Sequence, residues 1–220
     1  MRLQVDNEDL IGPMYAAMAQ VEATFSFHQA ESELSRYNRD PKIETTEEFR
    51  ALLTLAQNLR KASEGAFDPF VEGALDLGGI AKGWAVDRAI ERALQLDPEA
   101  KGYVEAGGDI RFFGETEARV ALRLGIPPNV VLREIEISGL QMAVASSSPG
   151  MAKEYGESKT RLRQGQWPEG TSVSVAASNC ALADALTKVV LFGERGAWKK
   201  IDPLARVFVF DRHGELQEGI

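Results

Sequence analysis

Residues 76–83 have the sequence Asp-Leu-Gly-Gly-Ile-Ala-Lys-Gly, which places a carboxylate, an ammonium and a flexible backbone ahead of a predicted helix. Glycine lets backbone N–H groups come close to an anion at the positive end of a helix, and Lys82 adds a compact positive charge. These residues predict a turn that binds phosphate. A plain strand-to-helix turn with a surface lysine explains the same stretch, because a Gly-rich turn alone is a weak motif.

Composition indicates a soluble globular chain and argues against some classes of function. The 220 residues are 44% hydrophobic and 26% charged, which suits a single domain over residues 1–220. The net charge of -8 argues against nucleic-acid binding, which needs a basic surface. No apolar stretch approaches the length of a membrane span, and the first residues lack the apolar core of a signal peptide. The single cysteine, Cys180, permits no disulfide within the chain.

Apolar periodicity predicts three helices in the first hundred residues. They are residues 12–25, a segment ending near Gly65, and a segment from near Gly79 to the Asp97-Pro98 stop. The second of these begins after Thr45 and Glu48, whose spacing predicts a capping box.

The middle and end of the chain are richer in β signals. The predicted strands cover residues 103–104, 110–113, 120–124, 132–137, 173–177 and 206–210, and a further apolar helix covers 179–192. Residues 106–109, Ala-Gly-Gly-Asp, predict a hairpin turn between the first two strands. Residues 146–170 lack apolar periodicity and predict a long loop. Helices before, between and after strands, without regular βαβ alternation, predict an α+β fold of antiparallel sheets packed with helices.

Two short polar segments each have a binding and a structural interpretation. Residues 32–38 follow the first helix and combine hydroxyls, an arginine and an aromatic ring in one predicted loop. They fit contacts to the base or ribose of a nucleotide, or a capped turn into the next helix. Residues 65–69 fit a helix C-terminus followed by a turn in which Asp68 accepts bonds from local N–H groups.

Asp184 lies in a predicted helix that is apolar nearly all round. An unpaired buried carboxylate costs several kcal/mol, so Asp184 needs a cation. One interpretation is an i,i+4 ion pair with Lys188 on a partly exposed face. The other is a hard metal ion such as Mg²⁺, for which Asp184, the Thr187 hydroxyl, backbone carbonyls and ligand phosphates offer oxygen donors.

The two histidines carry little information. His28 lies in the first loop, and His213 precedes Gly214 in a predicted turn near the end of the sequence. A structural or solvent-exposed role is the simpler interpretation of both.

Five segments, taken in order along the chain, resemble motifs of the ApbE family. They are residues 32–38, 65–69, 76–87, 106–110 and 183–186. The resemblance spans about residues 10–193, and its specificity comes from the ordered set rather than from any one piece. It implies an ApbE-like fold, related to the T-fold.

The resemblance implies an activity, because ApbE proteins are FAD:protein FMN transferases. They cleave the pyrophosphate of FAD, attach FMN to a Ser or Thr hydroxyl of an acceptor flavoprotein and release AMP, with Mg²⁺ required. The resemblance implies catalytic roles for Asp184 and Lys82, and Mg²⁺ held by the Gly79 carbonyl and Asp184, with Thr187 as a substitute third ligand. The implied flavin-nucleotide contacts are His28, Ser32, Ala66, Phe67, Asp68, Asp76, Lys82, Gly107, Gly108 and Asp109.

Three positions depart from the family pattern. Residues 160–170 contain no histidine, where family members carry a His segment that offers a base for the acceptor hydroxyl. Glu105 stands in place of an asparagine, and Lys188 stands in place of a metal-binding threonine. These departures leave two other functions open, an FAD-binding protein without transferase activity and an FAD pyrophosphatase. The implied location is periplasmic or membrane-associated if a targeting segment has been removed, and cytoplasmic otherwise.

Overall fold

The computed structural model describes residues 1–71, 73–115, 117–124, 130–139, 142–148, 167–168 and 170–219. The helices are α1 (Ile11–Phe25), α2 (Glu33–Arg39), α3 (Glu47–Ala62), α4 (Ala81–Leu96) and α5 (Cys180–Phe192). The strands are β1 (Arg2–Val5), β2 (Phe70–Val71), β3 (Ala74–Leu75), β4 (Gly102–Ala106), β5 (Asp109–Phe113), β6 (Glu117–Arg123), β7 (Val131–Ser138), β8 (Ala143–Ser147), β9 (Ser172–Ala177), β10 (Arg206–Phe210) and β11 (Leu216–Gly219). Short 3-10 turns cover Glu8–Leu10 and Ala197–Lys200.

The main sheet contains seven of the described strands in the order β1-β4-β5-β8-β9-β10-β11, and every neighbouring pair is antiparallel. Two small antiparallel pairs, β2-β3 and β6-β7, lie outside it. The architecture is α+β, as the sequence predicts, because the helices pack on a sheet without parallel crossover units.

Different elements pack on the two faces of the main sheet. On one face, alternate residues of β9 and β10 such as Val175 and Val207 join the helices in a buried cluster. On the other face, Ala176 and Phe208 pack against Ile137 and its neighbours from the β6-β7 hairpin. β9 is therefore buried on both sides, which explains its uninterrupted run of small and apolar side chains.

The predicted helices over residues 12–25 and 179–192 and the helix starting near Gly79 are confirmed, and so are the predicted strands. Residues 32–38 were predicted as a loop, and this prediction is wrong. They form most of α2, with Ser32 as N-cap accepting a bond from the Ser35 N–H at 3.0 Å. So short a helix has little periodicity to detect, and burial of Leu34 stabilises it.

The predicted capping box of Thr45 and Glu48 is wrong as well. Thr46 is the N-cap of α3, and its hydroxyl accepts a bond from the Phe49 N–H at 3.2 Å. The buried carboxylate of Glu33 accepts bonds from the Thr46 N–H at 2.5 Å and from its hydroxyl at 2.8 Å. A residue from α2 thus performs the task of a local glutamate, while Glu48 accepts a bond from the Trp84 ring N–H at 3.1 Å.

The predicted loop over residues 146–170 begins too early, because Ser146 and Ser147 belong to β8 and pair with β9. Residues 149–166 and 169, which hold most of that predicted loop, lie outside the described residues. β1, β2, β3, β8 and β11 were not predicted, since each is short or lacks the alternating pattern of a longer strand. In the part of the chain that is described, no helix is long and apolar enough to span a membrane.

Candidate active site

The start of α4 forms one wall of the candidate site. The Asp76 carboxylate accepts a bond from the Gly78 N–H at 2.8 Å and so fixes the turn that leads into the helix. The N-cap residue of α4, Ile80, provides no side-chain cap. The Ile80 and Ala81 N–H groups donate to the Leu77 carbonyl at 3.0 and 2.8 Å, so this end of α4 attracts an anion through its positive helix dipole rather than through those two donors.

Lys82 stands at the rim of this wall and meets the β4-β5 hairpin. Its ammonium lies 3.0 Å from Oδ2 of Asp109 and donates to the Gly107 carbonyl at 3.3 Å. Gly107 and Gly108 have φ of 56° and 94°, the left-handed backbone that a two-residue hairpin turn requires. The Lys82 side chain is 33% exposed, whereas that of Asp109 is 0% exposed. The pair therefore joins a buried carboxylate to an ammonium that reaches solvent.

The middle of α5 forms the opposite wall. Lys188 donates to Oδ1 of Asp184 and, at 3.1 Å, to the Asp184 backbone carbonyl. The Thr187 hydroxyl donates to the same carbonyl at 2.7 Å. Asp184, Thr187 and Lys188 are all buried. Of the two interpretations of Asp184, the structure places Lys188 in the role of its cation, although inside the protein rather than on a partly exposed face.

Two buried carboxylates, Asp109 and Asp184, repel each other electrostatically within the site. Burial first, and then the negative charge of Asp184, raises the pKa of Asp109 to about 7, against the opposing ammonium groups of Lys82 and Lys188. Oδ1 of Asp109 and Oδ2 of Asp184 are buried and accept no hydrogen bond within the described residues. The site thus holds acceptor capacity that the described chain does not satisfy.

A small recess lies where the two walls meet. Its volume is about 10 Å³, roughly room for one water molecule. A Cβ added at Gly79 would lie 3.4 Å from the Phe67 ring and 3.6 Å from the Lys188 side chain, so the turn before α4 lies against Phe67 and α5 there. The lining residues are Ala66, Phe67, Asp68, Asp76, Gly79, Lys188 and Phe192.

Two residues in the 76–87 segment hold the walls in place without facing the ligand side. A Cβ on Gly83 would lie 2.3 Å from the Cys180 carbonyl oxygen, so only glycine permits this approach of α4 to the start of α5. Asp87 accepts bonds at 2.9 Å from the N–H groups of Cys180 and Ala181, and it pairs with Arg111 at 2.6 Å. No local sequence pattern indicates this role of Asp87, because its partners lie 93 and 94 residues away.

The remaining predicted site residues are spread more widely. Asp68 pairs with Arg60 at 2.9 Å and accepts a bond from the Phe70 N–H, which is the local role predicted for it. Ser32 is buried as the cap of α2 and donates to the Ser26 carbonyl at 2.7 Å. His28 is exposed beside the Phe27 ring. Neither Ser32 nor His28 is among the lining residues of the recess in the described structure.

The residues around Asp184 do not fit the magnesium ion that the resemblance implies. Mg²⁺ prefers about six oxygen ligands, but one oxygen of Asp184 already binds the Lys188 ammonium. Two unit charges about 4 Å apart repel by about 4 kcal/mol at an effective dielectric constant of about 20, and a divalent ion doubles this. Among the described residues, no group of three or more His, Cys, Asp or Glu side chains could hold a metal ion.

Comparison with known proteins assigns the chain to a family. The model of the ApbE family matches residues 2–75 and 71–203, which together make up most of the sequence. The chain belongs to the ApbE family. No curated protein matches it.

Solved structures of ApbE proteins share the fold. An ApbE protein from Thermotoga maritima matches with a TM-score of 0.76 and 21% identity, over 99% of this chain and 92% of that one. The flavinyl transferase ApbE of Pseudomonas stutzeri, in its apo form, matches with a TM-score of 0.70 and 20% identity, over 96% and 84%. The flavin transferase ApbE of Vibrio cholerae matches with a TM-score of 0.66 and 20% identity, over 98% of this chain and 88% of that one. At these identities the likeness establishes the ApbE fold.

Proposed function

We propose that this chain binds FAD and transfers its FMN half to a Ser or Thr hydroxyl of an acceptor flavoprotein, releasing AMP. Membership of the ApbE family supports this activity, and two of the solved structures that share the fold are flavin transferases by name. The observation that carries the proposal is the presence of two ammonium groups, Lys82 and Lys188, beside the positive end of α4. Positive groups in that arrangement suit a pyrophosphate.

The transfer requires little covalent chemistry from the protein. The acceptor hydroxyl oxygen attacks the phosphorus on the FMN side, and a new P–O bond forms. The bond from that phosphorus to the bridging oxygen breaks, AMP leaves with this oxygen, and the hydroxyl proton passes to water. Catalysis of such a step rests on positioning and on stabilising the charge of the leaving group.

The described residues have distinct tasks in this proposal. Lys82, which reaches solvent, is placed to contact the pyrophosphate as it enters. Phe67 and Ala66 line the recess and offer an apolar surface to the flavin side. Magnesium has no step here, because the residues around Asp184 do not fit it. The recess of about 10 Å³ is too small for FAD, so the proposal places the pyrophosphate at its mouth.

The experiment is incubation of the full chain with FAD and an acceptor flavoprotein purified without its covalent flavin. We expect AMP by chromatography and flavin fluorescence that stays on the acceptor in a denaturing gel. The matched control is Asp184→Ala, which removes the carboxylate at the centre of the α5 wall. Failure of the wild-type chain to exceed this control would contradict the transferase.

A second candidate function is FAD binding without transfer. The buried Lys188–Asp184 pair favours it, because this pair stands where the resemblance places the catalytic cation. FAD binding with neither AMP release nor acceptor fluorescence would support this candidate. AMP and free FMN in the absence of an acceptor would instead identify an FAD pyrophosphatase.

A further inference from the structure

Lys188 is the described ammonium most deeply placed in the site, and its surroundings are those of a fixed cation. Its side chain is 9% exposed, and its own helix supplies two oxygen acceptors, Oδ1 and the backbone carbonyl of Asp184. We propose that the Lys188 ammonium takes the place of a divalent metal ion, so that this chain binds the pyrophosphate of FAD without metal. This inference rests on the proposed function for the identity of the ligand.

The geometry leaves Lys188 able to act on a ligand. A lysine ammonium has three N–H donors, and Asp184 receives two of them. The third has no partner among the described residues, while Lys188 lines the recess together with Asp76 and Gly79. Its side chain passes close to Gly79, since a Cβ added there would lie 3.6 Å from Cε of Lys188. The ammonium therefore has one donor left for a phosphate oxygen in this recess.

The charges of the site are consistent with a built-in cation. The two carboxylates Asp109 and Asp184 each have a lysine partner, Lys82 for Asp109 and Lys188 for Asp184. A divalent ion bound to the second oxygen of Asp184 would lie beside the ammonium and be repelled by it. The ammonium and the metal thus compete for one carboxylate, and the ammonium is tethered four residues away on the same helix.

The first experiment is calorimetric titration of FAD into the full chain, once with EDTA and once with MgCl₂. We expect dissociation constants that agree within about twofold, since no ligand contact depends on metal. Binding that is tenfold or more tighter with MgCl₂ would overturn the proposal. Absence of FAD binding in both solutions would contradict the proposed function instead.

The second experiment removes the Lys188 ammonium by substitution. Because a charge-assisted hydrogen bond to the pyrophosphate is lost, Lys188→Thr is expected to lose about tenfold or more of metal-free FAD affinity and to recover it with MgCl₂. Lys42→Thr is the matched control, as Lys42 is an exposed lysine in a turn. Unchanged metal-free affinity in Lys188→Thr would overturn the proposal, provided thermal melting shows that the variant is folded.

A third measurement needs no FAD. Paramagnetic resonance of Mn²⁺ added to the wild-type chain reports directly on a metal at Asp184. We expect the signal of free Mn²⁺, because the ammonium excludes it. Stoichiometric Mn²⁺ binding that disappears in an Asp184→Asn variant shown by thermal melting to be folded would overturn the proposal, and this outcome would leave the proposed FAD chemistry intact.

Discussion

The site contains two lysine–aspartate pairs that differ in their surroundings. In the Lys82–Asp109 pair the ammonium is 33% exposed and the partners come from separate elements, α4 and the β4-β5 hairpin. In the Lys188–Asp184 pair the ammonium is 9% exposed and both partners lie on α5. Lys82 can turn from Asp109 to a phosphate because the Asp109 carboxylate, with its pKa at about 7, can take up a proton, while the buried Lys188 keeps its carboxylate or leaves an uncompensated charge. The first pair is suited to capture a ligand and the second to fix the charge of the site.

The largest expected effect comes from breaking the buried pair. Asp184→Ala leaves the Lys188 ammonium buried without its partner, which destabilises a protein by about 3–5 kcal/mol. Asp109→Ala is the matched comparison, because Lys82 can turn to solvent and the cost falls to about 1 kcal/mol. Urea denaturation of both variants measures the two values. Equal losses would show that the two pairs do not differ as their exposure indicates.

The next largest loss of stability is expected when α4 is pushed away from the start of α5. Gly83→Ala introduces a Cβ 2.3 Å from the Cys180 carbonyl oxygen, and we expect a loss of about 3 kcal/mol from the forced backbone shift. Gly12→Ala is the control, since nothing lies within 4 Å of a Cβ at this α1 position. Thermal melting should show Gly12→Ala unchanged or slightly stabilised. A neutral Gly83→Ala would contradict the close approach of α4 to α5.

The two walls of the site differ in how far the sequence predicts them. The α4 wall was predictable because its turn, helix start and Lys82 lie within eight residues, and the Gly107-Gly108 turn has a local signal of its own. The partner of Asp184 was not predictable, because a lysine four residues later is compatible with two interpretations. It can form an ion pair with Asp184, or it can stand where a metal ligand would be while Asp184 binds a metal ion. Contacts between distant segments were also beyond reach, as with Glu33 on Thr46 and Asp87 on the start of α5. No local sequence pattern indicates a hydrogen-bond partner that lies 13 or 93 residues away.

A smaller effect separates the two pairs by pH. The folded chain holds the pKa of Asp109 at about 7, above its ordinary value of 3.8, so the native state binds more protons than the unfolded state between these values. Stability from this group is therefore complete at low pH and is lost as pH rises toward 7, by about 2 kcal/mol between pH 5 and 7. Asp109→Asn should remove this slope in urea titrations at several pH values. A slope that persists in the variant would assign it to another group.

The smallest effect is on ligand capture alone. Lys82→Ala removes the exposed ammonium, and we expect FAD to bind about tenfold more weakly because one charge-assisted contact is lost. The melting temperature should fall less than in Asp184→Ala, since Asp109 can take up a proton when Lys82 is lost. Fluorescence titration of FAD and thermal melting give both values. A large drop in melting temperature would place Lys82 with the structural pair rather than the capturing one.

The most direct test of the two-pair account is the structure of the chain crystallised with FAD and MnCl₂, with anomalous data collected at the manganese edge. The account predicts pyrophosphate density between the ammonium groups of Lys82 and Lys188, and no anomalous peak at Asp184. A manganese peak on the Asp184 carboxylate, with Lys188 turned away from it, would contradict the account.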